Sequence, residues 1–240
     1  MILLLLLKSP PPPWLAYVLV GFLVVAVVVM LLSRRYERRR SEAMATAASQ
    51  HGLAFELAGE SSPEQELLSF HLFNAGRGRK SGNVMRGSSG GIDVVLFDYK
   101  FVTGSGKSQS THQQTVAGFR LEGTTLPGFE LRHEHIFYKI AALFGYQDID
   151  FPEHPEFSRR YLLRGSDEAA VRALFSPALI EFFQQLANEN RWWVVEGTGE
   201  RLLVYRPEKR LNPAELPQFL QDTTTVTSYF RKGASAKFGF

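Results

Sequence analysis

The sequence contains no cysteine at any of its 240 positions. The chain therefore has no disulfide, no zinc–thiolate site and no cysteine nucleophile. Because proteins of every cellular compartment can lack cysteine, this absence does not identify the compartment.

A complete phosphate-binding loop is also missing, although GSGKS at 104–108 has the end of one. The motif requires a glycine five residues before Gly106, and Phe101 stands there. The segments 92–102 and 110–121 are rich in Val, Phe and Thr, as strands are, whereas the motif requires a helix after the loop. The sequence therefore predicts a β-hairpin here, and no cofactor is predicted.

Most of the chain also lacks excess positive charge. The net charge is +3, but residues 33–40 carry +4 and Lys8 adds +1, so the remaining residues carry −2. A nucleic-acid-binding domain gathers basic residues on its folded part. The distribution of charge therefore argues against nucleic acid as a partner.

Residues 14–32 have no charged side chain, and 13 of these 19 residues are Leu, Val or Phe. A helix of this length spans about 28 Å, close to the thickness of the hydrocarbon core of a bilayer. The apolar side chains favour insertion by about 4–8 kcal/mol. We therefore predict a transmembrane helix at 14–32 after a short N-terminal tail at 1–13, with the lipid bilayer as a partner.

The basic residues follow the apolar run, which is not the pattern of a cleaved signal peptide. They are Arg34, Arg35, Arg38, Arg39 and Arg40, whereas the N-terminal flank holds Lys8. The positive-inside tendency predicts a single-pass protein with its N-terminus outside and the domain after the span in the cytoplasm.

The rest of the chain mixes strands and helices without a βαβ rhythm. We predict a basic juxtamembrane helix at 33–50, one compact α+β domain at 51–230 with antiparallel hairpins and several helices, and a loose C-terminal tail at 231–240. Within the domain we expect a flexible basic loop at 74–82 and a helix at 135–145. We also expect a short strand at 148–151, a helix capped by Ser166 and a second hairpin at 192–206.

Two neighbouring segments of the chain have net charges of opposite sign. Residues 71–120 carry +5, whereas residues 41–70 carry −5. We expect the 74–82 loop and the tip of the first hairpin to face anionic lipid headgroups, at about 1 kcal/mol for each basic group. The lipid-facing candidates are Arg34, Arg35, Arg38, Arg39, Arg40, Arg77, Arg79, Lys80 and Lys107. The alternative is that these charges are solvated without contacting lipid.

Candidate catalytic and metal-ligating residues are few. His133 and His135 stand at alternate positions, which places both imidazoles on one face of a strand and suits a metal. Acidic residues follow at 148–156, without the spacing of a calcium loop. Asp98 and His112 could meet across the first hairpin, and no G-x-S-x-G elbow exists. The sequence therefore identifies no catalytic residue and no metal site.

The stretches FDYKFVTGSGK, THQQTV and DIDFPEHPEFSRRYLLRG give the chain a resemblance to a group of bacterial single-span membrane proteins of unknown function. The similarity covers most of 14–230. It implies a bacterial membrane protein, and it carries over no activity and no site residues. With the orientation predicted above, we expect that membrane to be the inner membrane.

These observations favour a membrane-anchored cytoplasmic interaction domain that acts through protein or anionic-lipid contacts. A protein partner or self-association is compatible with its apolar surfaces. The alternative is a membrane-bound, metal-dependent hydrolase that uses His133, His135 and the 148–156 region. Convergence of three of those side chains on one point would favour the hydrolase.

Overall fold

The computed structural model describes residues 13–57, 63–134 and 148–235. By its contacts the chain divides into two units, Met1–Ala43 and Met44–Phe240. The helices are α1 Pro13–Gln50, α2 Pro63–Glu66, α3 Pro155–Arg160, α4 Glu168–Leu174, α5 Pro177–Asn188 and α6 Leu216–Ser235. The strands are β1 Ala54–Glu56, β2 Arg77–Ser89, β3 Ile92–Thr103, β4 Ser110–Arg120, β5 Leu126–His133, β6 Tyr161–Gly165, β7 Val194–Gly199 and β8 Arg201–Tyr205.

Helix α1 contains the predicted apolar segment, and it is long and apolar enough to cross a membrane. The large side chains of this segment are exposed in the structure, as Tyr17 and Phe22 illustrate. A helix with apolar side chains all round its surface requires an apolar surrounding. After α1 ends, Gly52 has a φ of +69°, the left-handed conformation with which glycine commonly ends a helix.

The strands form one sheet in the order β1-β2-β3-β4-β8-β7-β5-β6. Every neighbouring pair is antiparallel. Both predicted hairpins are present, as β3 with β4 and as β7 with β8. The predicted α+β fold, one long apolar helix followed by antiparallel hairpins and several helices, is confirmed.

Each face of the sheet has its own apolar core, because side chains alternate along each strand. On one face, Val94 and Leu96 belong to the larger core, which also takes in Met44 from the end of α1 and residues from α3 to α6. On the other face, Phe97 and Tyr99 belong to a smaller core. The segment 63–76 covers this second face with Leu67, Phe70, Leu72, Phe73 and Ala75.

The basic segment 74–82 is not the flexible loop that the sequence predicts, since β2 begins at Arg77. The glycines suggested a loop, but the strand accommodates them as irregularities. Its register with β3 shifts between Arg77 and Lys80 and again between Gly82 and Met85. Gly78 and Asn83 have positive φ values at these shifts, as residues at β-bulges often do.

Other local predictions differ by small margins. Asp167, and not Ser166, caps α4, because its carboxylate accepts a hydrogen bond from the backbone N–H of Ala170. In place of a strand at 148–151, the structure has a single bridge between Asp148 and Arg164. Helix α6 runs to Ser235 and so includes the first five residues of the predicted tail. The helix predicted at 135–145 lies outside the described residues.

Candidate functional site

Strand pairing brings basic residues of β2, of β3 and of the turn after β3 to one end of the sheet. Arg77 is the cross-strand partner of Val102, and Lys80 is the partner of Lys100. Lys107 lies in the short turn Gly106–Ser108, between β3 and β4. We call this group the cationic sheet end; its members are Arg77, Arg79, Lys80, Lys100 and Lys107.

The two arginines of the cationic sheet end hold backbone in place. Arg77 donates hydrogen bonds to the carbonyl of Gly104 and, at 3.1 Å, to the side chain of Gln109. Arg79 donates to the carbonyls of residues 74, 75 and 76. They therefore fix the hairpin tip and the start of β2, while Lys80 and Lys107 remain exposed.

The other lipid-facing candidates lie on α1. Arg34, Arg35, Arg38 and Arg39 are exposed, whereas Arg40 is buried. All five precede the second unit, which begins at Met44.

The described part of the chain does not bring together the residues of the alternative metal-dependent hydrolase. His133 ends β5, and its ring lies against Trp192 with the centroids 3.6 Å apart. Glu156 pairs with Arg159 and Arg160 on α3. His135 lies outside the described residues, and 13–57, 63–134 and 148–235 contain no group of three His, Cys, Asp or Glu that could hold a metal ion.

Asp98 and His112 do not meet across the first hairpin. Asp98 is the partner of Thr115, and its carboxylate accepts hydrogen bonds from Asn83 and Thr115 at 2.8 and 2.7 Å. His112 instead bonds to Thr103 and Glu208. The two groups therefore have separate partners.

A buried carboxylate cluster, which the sequence analysis missed, lies beneath the 63–76 segment. Glu130 on β5 and Glu196 on β7 are direct cross-strand partners and so share one face. Glu196 accepts hydrogen bonds from the backbone N–H groups of His71 and Leu72, at 2.6 and 3.3 Å, and from the Tyr205 hydroxyl at 3.1 Å. Glu130 bonds to the His71 ring at 3.2 Å.

No protein-family model and no curated protein matches the chain. Among solved structures, the crystal structure of the mycobacterial trehalose monomycolate transport factor A, TtfA, superposes with a TM-score of 0.56. The match covers 82% of this chain and 94% of that chain, with 14% sequence identity. The two chains share a fold.

The buried cluster has unusual electrostatics within this fold. Burial raises the pKa of Glu196 to about 7, and the neighbouring Glu130 carboxylate adds to the rise. Burial also opposes ionisation of Glu130, but the hydrogen bond with His71 and the charge of Arg132 outweigh it and lower the pKa of Glu130. The hydrogen bond to Glu130 raises the pKa of His71. The two adjacent carboxyl groups therefore have pKa values shifted in opposite directions, because burial dominates at Glu196 whereas His71 and Arg132 stabilise the ionised form of Glu130.

A pocket of about 200 Å³ opens beside this cluster. Its lining includes His71, Glu196 and Thr198, together with the backbone of Gly128 and Gly165. Two of the polar residues that line this pocket, His71 and Glu196, are hydrogen-bonded to each other. The cluster therefore fixes the 63–76 segment to the sheet.

One feature of the sequence points to this cluster. In WWVVEGTG, residues 192–199, Glu196 is the one charged residue of an otherwise apolar strand, and a buried charge requires partners. Those partners come from 71–72 and from β5, more than sixty residues away along the chain. Their positions follow from the strand order and not from local spacing.

Proposed function

We propose that this chain is a membrane-anchored accessory protein of a transport process, in which α1 is the anchor and the second unit contacts partners at the cytoplasmic face of a bacterial inner membrane. Membership of the bacterial group noted in the sequence analysis is part of this proposal.

The observation that carries the proposal is the combination of two features in one chain. One is an apolar helix that is long enough to cross a bilayer. The other is a fold shared with a protein described as a transport factor, over most of the length of both chains. Fold likeness alone does not transfer function, so the anchor is needed to support the proposal.

Isolation of the full chain from its native membrane in a mild nonionic detergent tests this function. We expect a multi-span transport protein to accompany it in stoichiometric amount, identified by mass spectrometry. An unrelated single-span protein from the same membrane serves as the control bait. If the chain emerges alone, or with the companions of the control, the proposal is wrong.

The orientation is supported by the five arginines that follow the apolar segment, against Lys8 before it. Alkaline phosphatase fused to the C-terminus is active only after export. We expect the fusion to be inactive, and a green fluorescent protein fusion at the same position to be fluorescent. An active phosphatase would place the second unit outside the cytoplasm.

The cationic sheet end supports a contact with anionic lipid as a second activity. Lys80 and Lys107 are exposed and close to further basic groups, so each would gain about 1 kcal/mol beside an anionic surface. Lysine acetylation of the full chain, in nanodiscs of neutral or of anionic lipid, measures this contact.

In anionic discs we expect Lys80 and Lys107 to be acetylated several-fold more slowly than in neutral discs. Lys209 provides an internal control, because its ammonium group pairs with Glu215 at 3.0 Å. Equal acetylation of Lys80 and Lys107 in both kinds of disc would contradict the lipid contact and leave the transport proposal standing.

A further inference from the structure

Three arginines from three strands surround a depression on the second face of the sheet. Arg86 on β2 lies in the row Arg86, Val95, Gly118 and Leu203, which are successive cross-strand partners. In the next row on the same face, Asp93, Arg120 and Arg201 are successive partners. Arg120 and Arg201 are therefore side by side, and Arg86 lies in the neighbouring row, with Val95 of β3 between it and β4.

This arrangement places like charges directly opposite each other. Such cross-strand pairs destabilise a sheet unless an anion compensates for them. Arg120 has only long contacts in the described residues, at 4.0 Å to Glu122 and 3.9 Å to Glu200. The carboxylates that these contacts and the opposite residue Asp93 provide therefore compensate the charge of Arg120 only at a distance.

A carboxylate already bridges the other two arginines. Glu66, the last residue of α2, lies 3.7 Å from Arg86 and 3.2 Å from Arg201. An oxyanion thus fits between these two guanidinium groups. The Glu66 side chain is half exposed and ends a single-turn helix, so it can move aside for a ligand.

The arginines border a pocket of about 260 Å³. The floor of the pocket lies at Gly118, which has no side chain. A Cβ at this position would lie 3.1 Å from Val95 and 3.5 Å from Leu67 and would therefore fill part of the floor. Leu67 and Val95 contribute apolar side chains to the lining, and Asp93 is a further acidic group. The pocket therefore combines an apolar floor with a rim of three guanidinium groups.

We infer that this arginine pocket binds a phosphate group. Guanidinium groups present N–H donors in a planar fork that matches phosphate oxygens, and three arginines line this pocket. A phosphate takes the place of the Glu66 carboxylate and also satisfies Arg120. The apolar floor holds the first carbons of the phosphate ester. This site is separate from the cationic sheet end and does not depend on the proposed transport role.

Titration of the full chain with inorganic phosphate, in nanodiscs of neutral lipid and at constant ionic strength, tests the site. We expect saturable binding by calorimetry. Arg120→Gln and Arg201→Gln should each weaken it about tenfold, the loss of one charge-assisted hydrogen-bonding group. Arg159→Gln removes the same charge on α3 and should leave the affinity within about twofold.

A further variant separates binding from folding. Glu66→Gln removes the internal competitor and should strengthen phosphate binding by several-fold, a gain that a damaged fold would not give. Absence of saturable binding, an equal loss in Arg159→Gln, or no gain in Glu66→Gln would overturn the inference.

The same titration in discs of anionic phospholipid distinguishes the source of the phosphate. A lipid headgroup that occupies the pocket weakens the apparent affinity for inorganic phosphate in wild type, and Arg201→Gln abolishes that difference. An unchanged affinity in both discs supports a soluble phosphate as the ligand. If the affinity for inorganic phosphate is still weaker in anionic discs for Arg201→Gln, the lipid competes at another place. That result would contradict binding of the headgroup in this pocket.

Discussion

Replacement of Glu196 by glutamine should remove most of the pH dependence of stability in the second unit. Because the pKa of Glu196 is raised to about 7 in the folded chain, folding favours its protonated form. Its contribution to stability is fully present below its unfolded pKa and is lost as the pH rises from there through about 7. The raised pKa of His71 acts in the same direction.

The magnitude follows from the shift of the Glu196 pKa. A rise from the ordinary value of 4.5 to about 7 corresponds to a loss of about 2.5 kcal/mol between about pH 5 and about pH 8. Glu130 has a lowered pKa and contributes little in this range, because its carboxyl group is mostly ionised in both the folded and the unfolded chain. Glutamine keeps an oxygen that can accept the backbone hydrogen bonds and does not titrate.

Urea unfolding of the full chain in neutral detergent, from about pH 5 to about pH 8, measures this effect. The fluorescence of Trp193 reports the transition, since its ring is fully buried beneath Arg206. We expect wild-type stability to fall by about 2.5 kcal/mol or more across this range, and that of Glu196→Gln to fall far less. Glu200→Gln changes an exposed carboxylate nearby and should behave like wild type. Parallel curves for wild type and Glu196→Gln would refute the reasoning.

Two further substitutions test the packing around the sheet by the same unfolding assay. Asp98→Ala leaves the donors of Asn83 and Arg210 without their buried acceptor and should cost about 3 kcal/mol, more than Asp98→Asn, which keeps one acceptor oxygen; equal losses would contradict a role for that oxygen as an acceptor. Gly197→Ala places a Cβ 2.2 Å from the Phe129 ring and should cost about 1–3 kcal/mol; an unchanged midpoint would mean that the ring moves freely.

The hairpins and most helices could be predicted from sequence because their signals are local. Alternation from Val95 to Phe101 marks a strand with one apolar face, and Ser176 before Pro177 marks the start of α5. The strand β2 could not be predicted in this way, because glycines and basic residues dominate it. Strand β2 forms because β3 pairs with it along almost the whole length of β2.

The candidate sites were harder to predict than the fold. The basic residues of the cationic sheet end could be named from the sequence, but the roles of Arg77 and Arg79 in holding backbone could not. The carboxylate cluster and the arginine pocket combine residues from β2, β4, β5, β7 and β8. Their assembly depends on the strand order, in which β8 and β7 lie between β4 and β5.

The short strand β1 has a consequence for association between chains. Among the described residues, β1 pairs with residues 84–86 of β2 and leaves 77–83 uncovered at that edge. Such an edge can accept a strand from another molecule and begin aggregation. Here the uncovered stretch carries Arg77, Arg79 and Lys80, and its register is broken at Gly78 and Asn83. Charge repulsion and a distorted backbone therefore protect this edge, so that copies crowded in one membrane can stay separate.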